Sequence, residues 1–278
     1  MLIKRLLILL AAALIGQASH AETVAPFEVD TALILAVDVS DSVDAERYRL
    51  QMEGIARSLE DPAVISTITS GPQGAILLAL VEWADTAALT MPWHVIRSRD
   101  DAIAAAALIR ALEQKAGEYT CVSRMLSFVS DRIVPDIPGR ANRVVLDVSG
   151  DGIDNCREPT DTAEARDRLV GAGVQINGLP IIVAGENETV GAGAYRAPGF
   201  GLGGLKIGPG THQTTLDAWY SEYVIGGPAG FLIRANGFED FERAFKQKFV
   251  SEISAAQGYG SGLYFSTGPA NDVSPSGP

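Results

Sequence analysis

The chain has 278 residues, 47% of them hydrophobic and 20% charged, with a formal net charge of −12 at pH 7. This is ample apolar material for one large core. So large an acidic excess, with no Lys/Arg-rich block, argues against a nucleic-acid binder or a protein held by charge on an anionic membrane.

At the N-terminus, Lys4 and Arg5 precede the apolar run Leu6 to Ile15, and Ser19-His20-Ala21 puts small residues at the two positions a signal peptidase inspects. Residues 1–21 are predicted to be an export signal, because an apolar run of about ten residues is roughly half a bilayer-spanning helix. An uncleaved anchor is the alternative. Cleavage removes Lys4 and Arg5 and no acid, taking the net charge from −12 down by two to −14. The expected location is the periplasm or the exterior, with no stable membrane insertion after cleavage. Cys121 and Cys156 are the two cysteines. In an exported chain such a pair is predicted to form a disulfide.

Residues 22–29 read as a leader and 30–256 as one domain. Ala32 to Val37 is a continuous apolar strand. Val43 to Leu59 has helical spacing, with Tyr48, Met52, Ile55 and Leu59 on one face, and Asp61-Pro62 ends it. Val64 to Ser70 is a short helix stopped by Gly71-Pro72, and Ala75 to Trp83 a second apolar strand. Leu89 to Ile96 is a strand whose Pro92 assigns it to a sheet edge. Ala102 to Leu112 and Cys121 to Asp131 read as helices. Arg143 to Val148 is a strand, Asp161 to Ala172 a helix, and Val174 to Ala184 a strand interrupted at Asn177-Gly178. Residues 185–215 are glycine-rich and read as an irregular loop. Leu216 to Tyr223 is a short helix, Gly230 to Arg234 a last strand and Phe238 to Ile253 a closing amphipathic helix. Residues 257–278 are rich in Gly, Ser and Pro and read as a flexible tail. The alternation predicts an α/β domain: a doubly wound, mostly parallel sheet with one antiparallel edge strand and helices on both faces.

Two acidic loops follow apolar strands: Asp38-Val39-Ser40-Asp41-Ser42, and Ser149-Gly150-Asp151-Gly152. In an open α/β sheet, ligands gather outside the carboxyl ends of the strands. Asp38, Ser40, Ser42 and Asp151 would there offer hard oxygen donors of the kind Mg²⁺ or Mn²⁺ prefers. Thr120, at the start of a helix, could add a hydroxyl or cap that helix. Cys121 and Cys156 each lie near one of these loops, which puts the expected disulfide at the rim of the site. Without the second loop, Asp-x-Ser-x-Ser would read equally well as a helix N-cap, with Ser42 or Asp44 capping. Asp147 is expected to be a buried hydrogen-bonded partner, and Asp41, Asp44 and Asp154 solvated rim charges.

The order Asp-x-Ser-x-Ser, then Thr at a helix start, then Asp in Ser-Gly-Asp-Gly resembles the von Willebrand factor A domain. It is closest to an exported bacterial branch of that superfamily, a domain of unknown function. The branch resembles this chain at Leu35 to Ser40, Asp147 to Gly152, Ile176 to Leu179 and Val224 to Pro228. The resemblance implies a Rossmann-like fold and a metal-ion-dependent adhesion site. In it Ser40, Ser42 and Thr120 offer hydroxyls, while Asp38 and Asp151 bind directly or through water. The stretch after Thr120 departs from the family pattern, which makes Ser123 the substitute for Thr120. Such a site leaves the ion one ligand short, so a partner protein's Asp or Glu carboxylate can complete it. The resemblance implies a binding module and no catalysis.

Other motifs are weaker. Asp147, Ser149, Asp151, Gly152 and Glu158 fit an EF-hand loop, but a strand precedes them and Pro159 follows. His94 and His212 have no second His or Cys at zinc spacing, and there is no Gly-x-Ser-x-Gly elbow or Walker A pattern. Gly199 to Gly204 satisfies Gly-x-Gly-x-x-Gly without a strand–helix context, and Asn187-Glu188-Thr189 fits a glycosylation acceptor. The alternative function is a metal-assisted hydrolase of phosphate esters using the same ion.

Overall fold

The structure is a computed structural model that describes residues 27–115, 117–195 and 206–258. The expected export signal, most of the leader, nearly all of the expected tail and the Gly199 to Gly204 motif lie outside the described residues.

β1 (Glu28–Asp38) is buried from Val29 onward, as its unbroken apolar run demands. It pairs in parallel with β2 (Ile76–Trp83) on one side and β4 (Arg140–Gly150) on the other. β4 pairs in parallel with β5 (Val174–Ile182). β3 (Ala87–Ile96) is antiparallel to β2 and lies at the edge, where Pro92 has no neighbour strand to fail. The opposite edge is β8 (Ala235–Asn236), which gives the order β3-β2-β1-β4-β5-β8.

Helices cover both faces because β1 alternates its apolar side chains between two cores. Leu33, Leu35 and Val37 pack under α1 (Ala45–Glu60), α2 (Pro62–Thr69), α3 (Arg99–Arg110) and α7 (Phe241–Gly258). Ile34 and Ala36 face α4 (Val122–Phe128), α5 (Pro159–Gly171) and α6 (Leu216–Trp219). The face read for α1 is the buried one: Tyr48, Met52, Ile55 and Leu59. Asp44 caps α1 by accepting from the Arg47 amide at 2.8 Å, so the N-cap reading holds for Asp44 beside the loop, not in its place. Asp61 ends α1 and caps α2, accepting from the Ala63 amide at 2.8 Å. α4 and α6 each widen into a π turn, Val129–Ile133 and Tyr220–Val224.

Three expectations need correction. The segment read as an irregular loop contains an antiparallel hairpin, β6 (Thr189–Tyr195) and β7 (Lys206–Thr215), whose Ala192 is tucked into the second core. Small residues there permit close packing; they do not break the strand. β5 runs unbroken through Asn177-Gly178, because Asn177 spends its polar groups inside the protein. Its amide donates to Glu252 Oε1 at 2.7 Å and its oxygen accepts from the Phe231 amide at 3.2 Å. The last strand is the two-residue β8 rather than residues 230–234, and Phe238–Asp240 is a 3₁₀ turn before α7.

Asp147 is the buried partner expected. On β4 it lies 2.5 Å from Lys248 Nζ of α7, and Lys248 also pairs with Glu252 one turn on. All three are essentially inaccessible to solvent.

Candidate metal centre

The register of β1 against β4 brings the two acidic loops to one end of the sheet. Val37 pairs with Ser149, so the chain leaves both strands side by side at Asp38 and Gly150. Asp38 folds back on its own loop, its Oδ1 accepting from the Ser40 amide at 2.8 Å. The Ser40 and Ser42 hydroxyls lie 3.3 Å apart, and Ser42 donates to Asp151 Oδ1 at 2.6 Å. The Thr120 hydroxyl completes the cluster, donating to Ser40 Oγ at 3.3 Å. Five side chains from three separate turns thus meet. Ser123, the substitute for Thr120, lies in the first turn of α4, its hydroxyl buried and making no hydrogen bond to these five. Thr120 does not cap α4, and its hydroxyl is turned into the cluster.

Ser-Gly-Asp-Gly is explained by close approach. A Cβ on Gly150 would come within 2.8 Å of both Asp38 Oδ2 and the Tyr220 hydroxyl. One on Gly152 would come within 3.1 Å of Thr120 Oγ1. The two glycines let the second loop lie against the donors of the first.

The third turn is tied down by covalent and polar links. Cys121 and Cys156 form the disulfide, with Cα atoms 5.3 Å apart. Beside it, the Thr120 amide donates to Asn155 Oδ1 and the Asn155 amide to the Thr120 carbonyl, each at 3.0 Å. Asp154 is not the solvated rim charge expected. It is 3% exposed and accepts from the amides of Ser123 at 2.6 Å, Cys156 at 2.9 Å and Arg157 at 3.0 Å, and from the Thr162 hydroxyl at 3.2 Å. One carboxylate thereby caps α4 and shapes the loop beyond Asp151; its sequence neighbours gave no sign of that. Asp41 and Asp44 are exposed, as expected.

The electrostatics describe a site short of positive charge. Burial, with Asp151 adding repulsion, pushes Asp38 up to about 7. Burial raises Asp151 as well, against the pull of the Ser42 hydroxyl and Arg47. Asp38 Oδ2 and the nearby Tyr220 hydroxyl are buried and have no hydrogen-bond partner. A divalent cation fits this arrangement, because a buried carboxylate oxygen without a donor is otherwise costly. Among the described residues no three His, Cys, Asp or Glu side chains cluster as a metal site. The donors here are two carboxylates and three hydroxyls, an all-oxygen set of the type hard cations take. The EF-hand alternative fails, since Asp147 belongs to the separate cluster with Lys248 and Glu158 accepts from the Tyr195 hydroxyl at 2.9 Å.

The sequence did not single out four rim residues. Arg47, on α1, lies 3.8 Å from Asp151 Oδ2, and Glu186 accepts from Arg47. Asn187 donates to the Asp151 carbonyl at 2.6 Å and to the Ile181 carbonyl at 2.9 Å. Tyr220 lines the floor, its hydroxyl held well above its usual pKa by burial and by Asp38. Tertiary structure brings Glu186, Asn187 and Tyr220 to the loops, whereas Arg47 stands only five residues beyond Ser42.

The parallel sheet with a single antiparallel edge, and an Asp-x-Ser-x-Ser loop at its carboxyl end, define a von Willebrand factor A-type α/β fold. Solved structures share the architecture at low identity. Proximal thread matrix protein 1 from the mussel byssus matches with a TM-score of 0.55 and 13% identity, over 82% of this chain and 49% of that one. A second structure of the same mussel protein has a zinc-occupied MIDAS motif and matches with a TM-score of 0.53 and 14% identity, again over 82% of this chain and 49% of that one. This chain thus spans about half the length of the mussel protein. BatB from Bacteroides thetaiotaomicron, a conserved hypothetical protein, matches with a TM-score of 0.50 and 16% identity, over 81% of this chain and 99% of that one. No curated protein matches the sequence. Residues 28–257 match the family described as a protein of unknown function, DUF1194, and the chain belongs to that family.

Proposed function

We propose that this chain is an exported, metal-ion-dependent protein-binding module. In this reading Mg²⁺ or Mn²⁺ is held by Asp38, Ser40, Ser42, Thr120 and Asp151 and captures a partner protein's carboxylate. The observation that carries it is Asp38 Oδ2, a buried carboxylate oxygen with no donor, beside a second buried carboxylate and three hydroxyls. A bound divalent ion would supply the missing charge and act as the acceptor for an incoming Asp or Glu. The five side chains fall short of the six oxygens Mg²⁺ takes, and the exposed Ser42 lies on the open side of the cluster. The zinc-occupied motif in the mussel protein supports divalent-ion use by this fold. Among the described residues no helix is long and apolar enough to cross a membrane. Export rests on the N-terminal residues. The hydrolase reading would need a general base or nucleophilic carboxylate aimed at the open position; His94 and His212 lie on β3 and β7.

The test is thermal unfolding in EDTA and in Mg²⁺. At a hundredfold excess over Kd, a native-state ligand stabilises by about 2.7 kcal/mol, which for a domain of this size raises Tm by roughly 5–10 °C. Asp38→Ala and Asp151→Ala are expected to lose that rise. Equal Tm values for the wild type with Mg²⁺, with Mn²⁺ and with EDTA would sink the reading. A pull-down from an envelope extract with Mg²⁺ and with EDTA then isolates the partner.

A further inference from the structure

Arg47 sits one turn into α1, beside the donor set, and is fixed from several sides. Its Nη1 donates to the Ser42 carbonyl at 2.9 Å and lies 3.8 Å from Asp151 Oδ2. Its Nη2 donates to both carboxylate oxygens of Glu186 at 2.8 Å. The guanidinium lies over the Phe238 ring, 5.1 Å from its centroid. Glu186 follows β5, in a turn that Asn187 anchors to the Asp151 carbonyl at 2.6 Å. Its side chain is 53% exposed. An acidic side chain on a short tether is therefore separated from the donor set by one guanidinium, which lies 2.8 Å from Glu186 and 3.8 Å from Asp151.

That placement matters at a site built to take a carboxylate. A tethered carboxylate competes at the high effective concentration of an intramolecular ligand, and a free partner must overcome it. One guanidinium nitrogen, Nη2, donates to both Glu186 oxygens, a charge-assisted contact that keeps the carboxylate turned toward Arg47. We propose that Arg47 is a positioning residue that withholds Glu186 from the ion, so that the ligand position left over by the five side chains stays open to a partner. The inference rests on the metal-site reading above and adds the device that keeps the site receptive.

The test uses the full chain and Mn²⁺ alone. Water-proton relaxation reads how many exchanging waters the bound ion keeps, and the same titration gives Kd. For the wild type, a strong relaxation enhancement is expected. In Arg47→Gln, Glu186 is released: Mn²⁺ should bind on the order of tenfold more tightly, with a clearly lower enhancement as the carboxylate displaces water. In Arg47→Gln/Glu186→Gln both values should return toward wild type, because the competing group is gone and the net charge of the pair is restored. A merely structural or long-range electrostatic role would move Kd without lowering the water count. Arg47→Lys keeps the charge and loses the planar guanidinium that reaches the Ser42 carbonyl and Glu186 at once, so it should shift both values in the same direction by a smaller factor, and it carries the test should Arg47→Gln fail to fold. Arg47 variants with wild-type enhancement overturn the inference, as does a double variant whose enhancement stays low. A wild type that binds no Mn²⁺ sinks the metal reading and this inference with it, whereas a wild type that binds and an unchanged Arg47→Gln sink only the inference.

Discussion

Gly150 is the tightest point of the site: a methyl there would meet Asp38 Oδ2 and the Tyr220 hydroxyl, each at 2.8 Å. Gly150→Ala is expected to lower stability by about 1–3 kcal/mol, because neither the buried loop nor the ring can yield easily. Gly171→Ala, at the end of α5 with nothing within 4 Å, should be neutral or slightly stabilising and serves as the control. Urea midpoints for the two variants check this; a Gly150→Ala midpoint equal to that of wild type would refute the close-approach account. At this scale the sequence was legible only where the chemistry is local. Asp38, Ser40 and Ser42 share one five-residue loop, and Asp151 is marked by its flanking glycines. Asp154 misled because the Ser123 amide and the Thr162 hydroxyl reach its carboxylate from outside its own turn and bury it. Glu186, Asn187 and Tyr220 reach the loops from distant parts of the chain, and Arg47, though only five residues beyond Ser42, meets Asp151 and Glu186 only across the fold.

Between elements, the buried cluster of Asp147, Lys248 and Glu252 joins β4 to α7. Burial pushes Asp147 up to about 7 despite the pull of Lys248, and Glu252 adds to the rise. A proton on Asp147 relieves the repulsion between two carboxylates gathered around one lysine. The folded protein therefore binds more protons than the unfolded chain between about pH 4 and pH 7, and stability from this source falls as pH rises through that window. Asp147→Asn should flatten the fall by on the order of 1–3 kcal/mol, read from melting curves in EDTA at a series of pH values. Identical slopes for variant and wild type would remove Asp147 from the account. The disulfide is the second link between elements, closing a loop with a sequence separation of 35 between the Thr120 and Asp151 turns. Cys121→Ser/Cys156→Ser is expected to cost roughly 3–4 kcal/mol in denaturant unfolding and to weaken Mg²⁺ binding by calorimetry. Unchanged metal affinity would mean the polar links alone hold Thr120 in place. The strand and helix order was readable from hydrophobic period, and element ends moved by a few residues. The β6–β7 hairpin was missed because glycine and alanine carry no apolar period, although paired backbone and the buried Ala192 hold it.

Across the molecule, the two cores and the site share one cause. β1 is apolar on both faces, which forces it to the middle of the sheet, and a central parallel strand must release its chain at a loop with β4 beside it. That logic was open to inspection from the sequence and fixed both the architecture and the end at which the acidic loops meet. The rims of the sheet were less legible, and they carry a consequence of their own. One rim is β3, broken in register against β2 and carrying Pro92; the other is only the two residues of β8. Neither of these two rims offers a long, unguarded ladder onto which a stray strand could zip.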